Sequence, residues 1–130
     1  AASVWQAIED LKVARIGHGV QAIEDPMLVA ELVAQGIVLE VCPGSNVALG
    51  VYDTLAAHPI CALRDAGVKL TVSTDDPPFF NTTMQREYKA LAEVFGWTAS
   101  DFHDLNTTAA AAAFCDQATR DRVLKKLEQP

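Results

Sequence analysis

Three short runs rich in apolar and β-branched residues, at 13–16, 37–41 and 68–72, are separated by segments with helical spacing. Strand, helix, strand, helix, strand is an order that predicts parallel pairing, since parallel neighbours need a long crossover and crossovers are right-handed. The carboxyl ends of all three strands then lie on one edge of the sheet, where α/β proteins build their sites. The middle run, Ile37-Val38-Leu39-Glu40-Val41, is nearly continuous apolar and reads as a strand buried on both faces.

Each predicted strand end carries chemistry. The last run leads into Ser73-Thr74-Asp75-Asp76-Pro77-Pro78, where the prolines cannot donate to a ladder, so pairing stops and two carboxylates are left at the strand's end. Neighbours in extended chain point to opposite sides, so Asp75 and Asp76 are expected to face different partners. His18 follows the first run between Gly17 and Gly19, and Cys42-Pro43-Gly44-Ser45-Asn46 after the middle run reads as a turn-rich loop. An imidazole and two carboxylates on one rim suit a metal or acid–base site. The same residues also suit a capped turn and an Asx-turn, and a catalytic zinc takes three protein ligands where the spacing here offers two.

Helix signals fill the intervals. Ser3 is placed to cap a helix through Val4, Ile8 and Leu11; Asp25-Pro26 starts the next, which Gly36 ends. Pro59 and Gly67 bracket a third, and Asn81 is placed to cap a fourth with Met84, Tyr88, Leu91 and Phe95 on one face, ended by Gly96. Thr98 and Asp101 resemble a capping box; helices at 109–114, anchored by Phe114, and at 123–127 are expected beyond it. His58, before Pro59, reads as a helix cap, and His103 as solvated.

Composition narrows the function classes. The 130 residues, half of them apolar, suit one domain with its own core. With 10 basic against 17 acidic residues the net charge is −7, which argues against nonspecific nucleic-acid or anionic-membrane binding. No apolar run approaches the ~20 residues of a membrane span and no leader pattern opens the chain, so a cytoplasmic protein is expected. Cys42, Cys61 and Cys115, widely spaced, read as reduced and buried thiols.

Arg15-Ile16-Gly17-His18-Gly19, Val41-Cys42-Pro43-Gly44-Ser45-Asn46 and Ser73-Thr74-Asp75-Asp76-Pro77 occur in the order and spacing seen in the adenosine deaminase family. The likeness continues through Phe80-Asn81-Thr82-Thr83 and Tyr88 to Leu105-Asn106 and the alanine-rich helix, so essentially the whole chain resembles that family's C-terminal part. The resemblance implies a TIM (β/α)₈ barrel of the metal-dependent hydrolase type, of which this chain holds the last three βα units and the C-terminal helices. It further implies one Zn²⁺ and hydrolytic removal of the amino group of a 6-aminopurine, a small-molecule substrate. Adenosine, giving inosine and ammonia, is the leading substrate; adenine is the alternative, with Asn81-Thr82-Thr83 leaning toward the nucleoside.

Carried over by motif, Asp75 matches the family's carboxylate zinc ligand, Asp76 the aspartate at purine N7, and His18 the histidine beside the attacking water. Purine N7 only accepts hydrogen bonds, so the Asp76 contact needs a protonated carboxyl, a form that burial beside the ionised Asp75 is expected to favour. Nothing matches the family's His-x-His pair or its His-Ala-Gly-Glu motif, which the resemblance places upstream of this sequence. The chain by itself is therefore expected to be inactive and to hold zinc weakly. A sheet with unpartnered edges and inner face is also expected to self-associate, and a noncatalytic interaction fragment is the reading from another functional class.

Overall fold

A computed structural model describes residues 1–128. Three strands, β1 (Arg15–Gly17), β2 (Val38–Val41) and β3 (Lys69–Val72), pair in parallel in the order β1-β2-β3. Helices α1 (Ala2–Leu11), α2 (Pro26–Gln35) and α4 (Ile60–Asp65) precede the three strands in turn, α3 (Pro43–Ala48) follows β2, and α5 (Pro77–Phe80), α6 (Met84–Phe95), α7 (Ala99–Ala112) and α8 (Gln117–Leu127) follow β3. Among the described residues no helix is long and apolar enough to cross a membrane.

The caps show why these segments are helical. Asp25 accepts from the N–H groups of Met27 (3.0 Å) and Leu28 (3.2 Å), Pro26 occupies the first helical position and Gly36 ends α2 at φ 66°. Trp5 Nε1 also donates to Asp25 (2.8 Å), and with these bonds holds its carboxyl below the usual range. Asp101 accepts from the Thr98 N–H (2.6 Å) and hydroxyl (2.8 Å), the pairing expected at the start of α7.

Several boundaries differ from the sequence reading. Helix α1 begins at Ala2 with no side-chain cap, so Ser3 lies inside it. The stretch from Cys42 to Asn46 is not a loop: proline at the first helical position starts α3. Asn81 ends α5 in left-handed conformation (φ 47°), and Thr83 caps α6 by accepting from the Arg86 N–H (3.2 Å). Alanine's helix preference carries α7 unbroken to Ala112. Of the three thiols only Cys42 is buried.

Alternation along the strands divides the sheet into two unlike faces. Leu39, Val41 and Leu70 turn toward Leu28, Leu32, Ile60 and Leu63 in one apolar core. On the other face the register aligns Arg15, Val38 and Lys69 in one row and Gly17, Glu40 and Thr71 in the next. β2 is thus buried on both sides, at Val38 on the inner one and at Leu39 and Val41 on the other, with Glu40 the polar exception. Glu40 pairs with Arg15 (Oε1 to Nε, 3.5 Å), whose guanidinium lies 3.6 Å over the ring of Phe114 and donates to the Ala112 carbonyl (3.2 Å). Phe114, read as an anchor for the alanine-rich helix, is 81% exposed beneath that guanidinium.

Leu39 is fully buried at the centre of this core, and its replacement by alanine removes three methylene-sized groups from packed surroundings. Leu39→Ala is expected to cost about 2–5 kcal/mol, read from the shift in urea midpoint at unchanged slope.

Candidate active site at the carboxyl edge of the sheet

The sheet ladder continues one residue beyond two of its strands before the chain turns away. The His18 N–H donates to the Glu40 carbonyl (2.9 Å) after β1, and the Ser73 N–H donates to the Val41 carbonyl (2.9 Å) after β3. His18 (φ 58°) and Asp75 (φ 59°) then take left-handed conformations. Among the described residues the other two non-glycine ones in that region, Lys12 and Asn81, are helix-end residues, whereas these two sit on the rim, where such strain points to function. Gly19, also left-handed at φ 69°, has no room for a side chain, because a Cβ would come within 2.9 Å of Leu39 Cδ2.

These turns bring His18 and Asp75 together, with Nε2 3.6 Å from Oδ2. The fully buried Ser45 hydroxyl donates to the same Asp75 oxygen at 2.7 Å. Cys42 completes the cluster, since one donor atom each from His18, Cys42 and Asp75 lies within 4.8 Å of the others. Burial, reinforced by the Asp75 charge, pushes the Cys42 thiol up to about 11, so it is a neutral neighbour of the carboxylate at pH 7.

Asp76 does diverge from Asp75. It precedes α5, its carbonyl accepts from the Phe79 and Phe80 N–H groups (both 3.1 Å), and its side chain is exposed and makes no cap bond. This chain's own residues therefore do not bury it. His103 is exposed, as read.

The donor set suits zinc. Two ligands at tetrahedral angles on one ion stand about 3.4 Å apart for bonds of about 2.0–2.1 Å, and His18 and Asp75 are 3.6 Å apart. The Asp75 carboxylate, oriented by Ser45, can hold the ion, while the imidazole at that separation reaches either the ion or a water beside it.

The sequence places the segment from Cys42 to Asn46 on the rim but gives Ser45 and Asn46 no role there, and it misses Glu87 and the bond from His58 to Asn46. Glu87, only 4% exposed, accepts from the Gly44 N–H (2.9 Å) at the start of α3. A carboxylate at position 87, beside an apolar stripe of 84, 88, 91 and 95, was the available signal. His58, read as a cap, does accept from the Ile60 N–H at Nδ1 (3.2 Å), which leaves Nε2 to donate to Asn46 Oδ1 (3.0 Å). The second bond ties α3 to the start of α4.

Burial lowers the His58 pKa to about 4, against 6.5 for a free imidazole. The unfolded chain therefore takes up this proton first as pH falls. The stability from a neutral, buried His58 is fully present above pH 6.5 and is lost progressively toward pH 4, to the extent of about 3 kcal/mol. Urea midpoints measured across that window should fall for the wild type, with a much flatter profile for His58→Gln.

The sequence model described as adenosine deaminase matches residues 1–130, the entire chain. The chain belongs to the adenosine deaminase family. It is 52% identical over 125 residues to an adenine deaminase of Agrobacterium fabrum, an alignment covering 96% of this chain and 38% of that protein. An adenine deaminase of Rhizobium rhizogenes is 51% identical over 127 residues, 98% of this chain and 39% of its own length. The crystal structure of adenine deaminase from Arthrobacter aurescens superposes with a TM-score of 0.93 at 30% identity, covering 97% of this chain and 38% of that one. An amidohydrolase from Burkhoderia ambifaria, solved with bound Zn, shares the fold at a TM-score of 0.81 and 24% identity, over 99% and 39% of the two chains. The three parallel strands and their helices are thus part of a (β/α)₈ barrel, and the chain spans 38–39% of the length of these relatives.

Proposed function

We propose that this chain supplies one wall of the active site of a zinc hydrolase that removes the amino group of adenine, leaving hypoxanthine and ammonia. The observation that carries the reading is Asp75, fixed by Ser45 at 2.7 Å and facing His18 at 3.6 Å, on the carboxyl edge of a parallel sheet. Relatives named adenine deaminase at about half identity favour adenine over adenosine. The lean toward the nucleoside from Asn81-Thr82-Thr83 loses its basis, because all three residues have structural work. Asn81 accepts from Arg86 and ends α5, Thr82 donates to Glu87 (2.6 Å), and Thr83 caps α6.

Bound zinc lowers the pKa of water toward ~7 and so provides a nucleophile at neutral pH. Asp75 would hold the ion through its carboxylate, whose Oδ2 the Ser45 hydroxyl orients at 2.7 Å. His18, 3.6 Å from that carboxylate, accepts a proton or hydrogen bond from the water as it attacks C6 of the purine. The resemblance assigns Asp76 to the N7 side of the purine, where a contact would hold the ring in place. Water's oxygen remains on C6 and the amine leaves as ammonia; the resemblance assigns the proton donor for that step to a glutamate outside this sequence.

Substrate competition tests the choice of purine. With the chain joined behind the upstream portion of the Agrobacterium relative, kcat/KM for adenine is expected to exceed that for adenosine by at least ~100-fold, the discrimination available when a pocket must reject added bulk and polar groups. A preference for adenosine would overturn the reading.

Self-association of the chain alone belongs to the same proposal. The inner face is polar, with Arg15, Glu40 and Lys69, so association is driven less by wet apolar area than by the unpaired edges of β1 and β3. Light scattering at micromolar concentration should show species larger than one chain.

A further inference from the structure

Glu87 is a buried carboxylate, 4% exposed, with no lysine, arginine or histidine paired to it among the described residues. Such a group persists only where hydrogen bonds replace its lost hydration. Two do so: Oε2 accepts from the Gly44 N–H at 2.9 Å, and Oε1 accepts from the Thr82 hydroxyl at 2.6 Å. Gly44 is matched to it in shape. A Cβ at position 44 would collide with the Glu87 carboxylate, although the Gly44 backbone is not left-handed, so glycine is needed there for room and not for conformation.

The next residue along the chain is Ser45, whose hydroxyl orients Asp75. Helix α3 is six residues long and has no side-chain N-cap of its own. Its position is set from outside, by Glu87 at its first turn and by His58 through Asn46 (3.0 Å).

We infer that Glu87 is a positioning residue for the metal site, holding the first turn of α3 so that Ser45 keeps Asp75 in its ligating rotamer. The inference rests on the proposed role of Asp75. A carboxylate on α6 thereby controls a ligand on the rim without touching metal or substrate.

Zinc affinity, measured by chelator competition on the chain joined to the upstream portion of the Agrobacterium relative, tests this separately from turnover. Loss of a partner that orients a ligand typically weakens metal binding by ~10–100-fold, and that range is expected for Glu87→Ala and for Gly44→Ala. Glu87→Gln keeps an oxygen for the Gly44 N–H and should stay within ~3-fold of wild type. The double variant G44A/E87A should bind no more weakly than either single variant, because removing the carboxylate makes room for the methyl group. It also fills the vacated space, so it carries the test if Glu87→Ala does not fold. Wild-type zinc affinity in Glu87→Ala or in the double variant, alongside loss of metal in Asp75→Asn, overturns the positioning role and leaves the functional reading intact. Retention of zinc by Asp75→Asn overturns both.

Discussion

Asp75→Asn should strip the metal from the joined protein and reduce adenine turnover to background. Asparagine tolerates the left-handed backbone at this position, where φ is 59°, and its amide oxygen can still accept from Ser45, so the change isolates the carboxylate's charge and coordination. Partners that merely orient a ligand are worth ~10–100-fold in metal affinity, so losing the ligand itself is expected to cost more than ~100-fold. Metal content by elemental analysis after dialysis, with circular dichroism to confirm the fold, is the measurement.

The companion prediction concerns His18, where the expected pattern is the reverse. His18→Asn should keep zinc at near-stoichiometric content and lose ~10²–10⁴-fold in kcat, the usual contribution of a positioned general base. Asparagine again tolerates the local backbone, at φ 58°, and the backbone bond from position 18 to the Glu40 carbonyl is unaffected by the side chain. Metal content separates the two roles. A zinc-free His18 variant beside a loaded Asp75 variant would show that the assignments are exchanged.

What was legible in the sequence follows the range of the forces involved. Strand order, parallel pairing and the convergence of His18 with Asp75 depend on alternation and connection rules, which the chain displays locally at 13–16, 37–41 and 68–72. The caps at Asp25 and Thr98 were legible for the same reason: their partners lie two or three residues away. Contacts between distant segments were not. Ser45 with Asp75, and Gly44 with Glu87, are 30 and 43 residues apart, and without them the stretch from Cys42 to Asn46 looks like a turn. The polar inner face was hidden too, since one glutamate in Ile37-Val38-Leu39-Glu40-Val41 reads as an exception until the register aligns it with Gly17 and Thr71 and the Arg15 ion pair appears. Asn81 misled because asparagine is common both at helix starts and in the left-handed residue that ends one; here it does the second.

Ammonia release from adenine, followed in zinc-supplemented buffer for the chain alone and for the chain joined behind the upstream portion of the Agrobacterium relative, tests the account most directly. The chain alone offers Asp75 as its one matched zinc ligand and should release none above background, while the joined protein should turn adenine over and lose that activity with Asp75→Asn. Turnover by the chain alone that disappears in Asp75→Asn, or a zinc-loaded joined protein that leaves adenine unchanged, would contradict it.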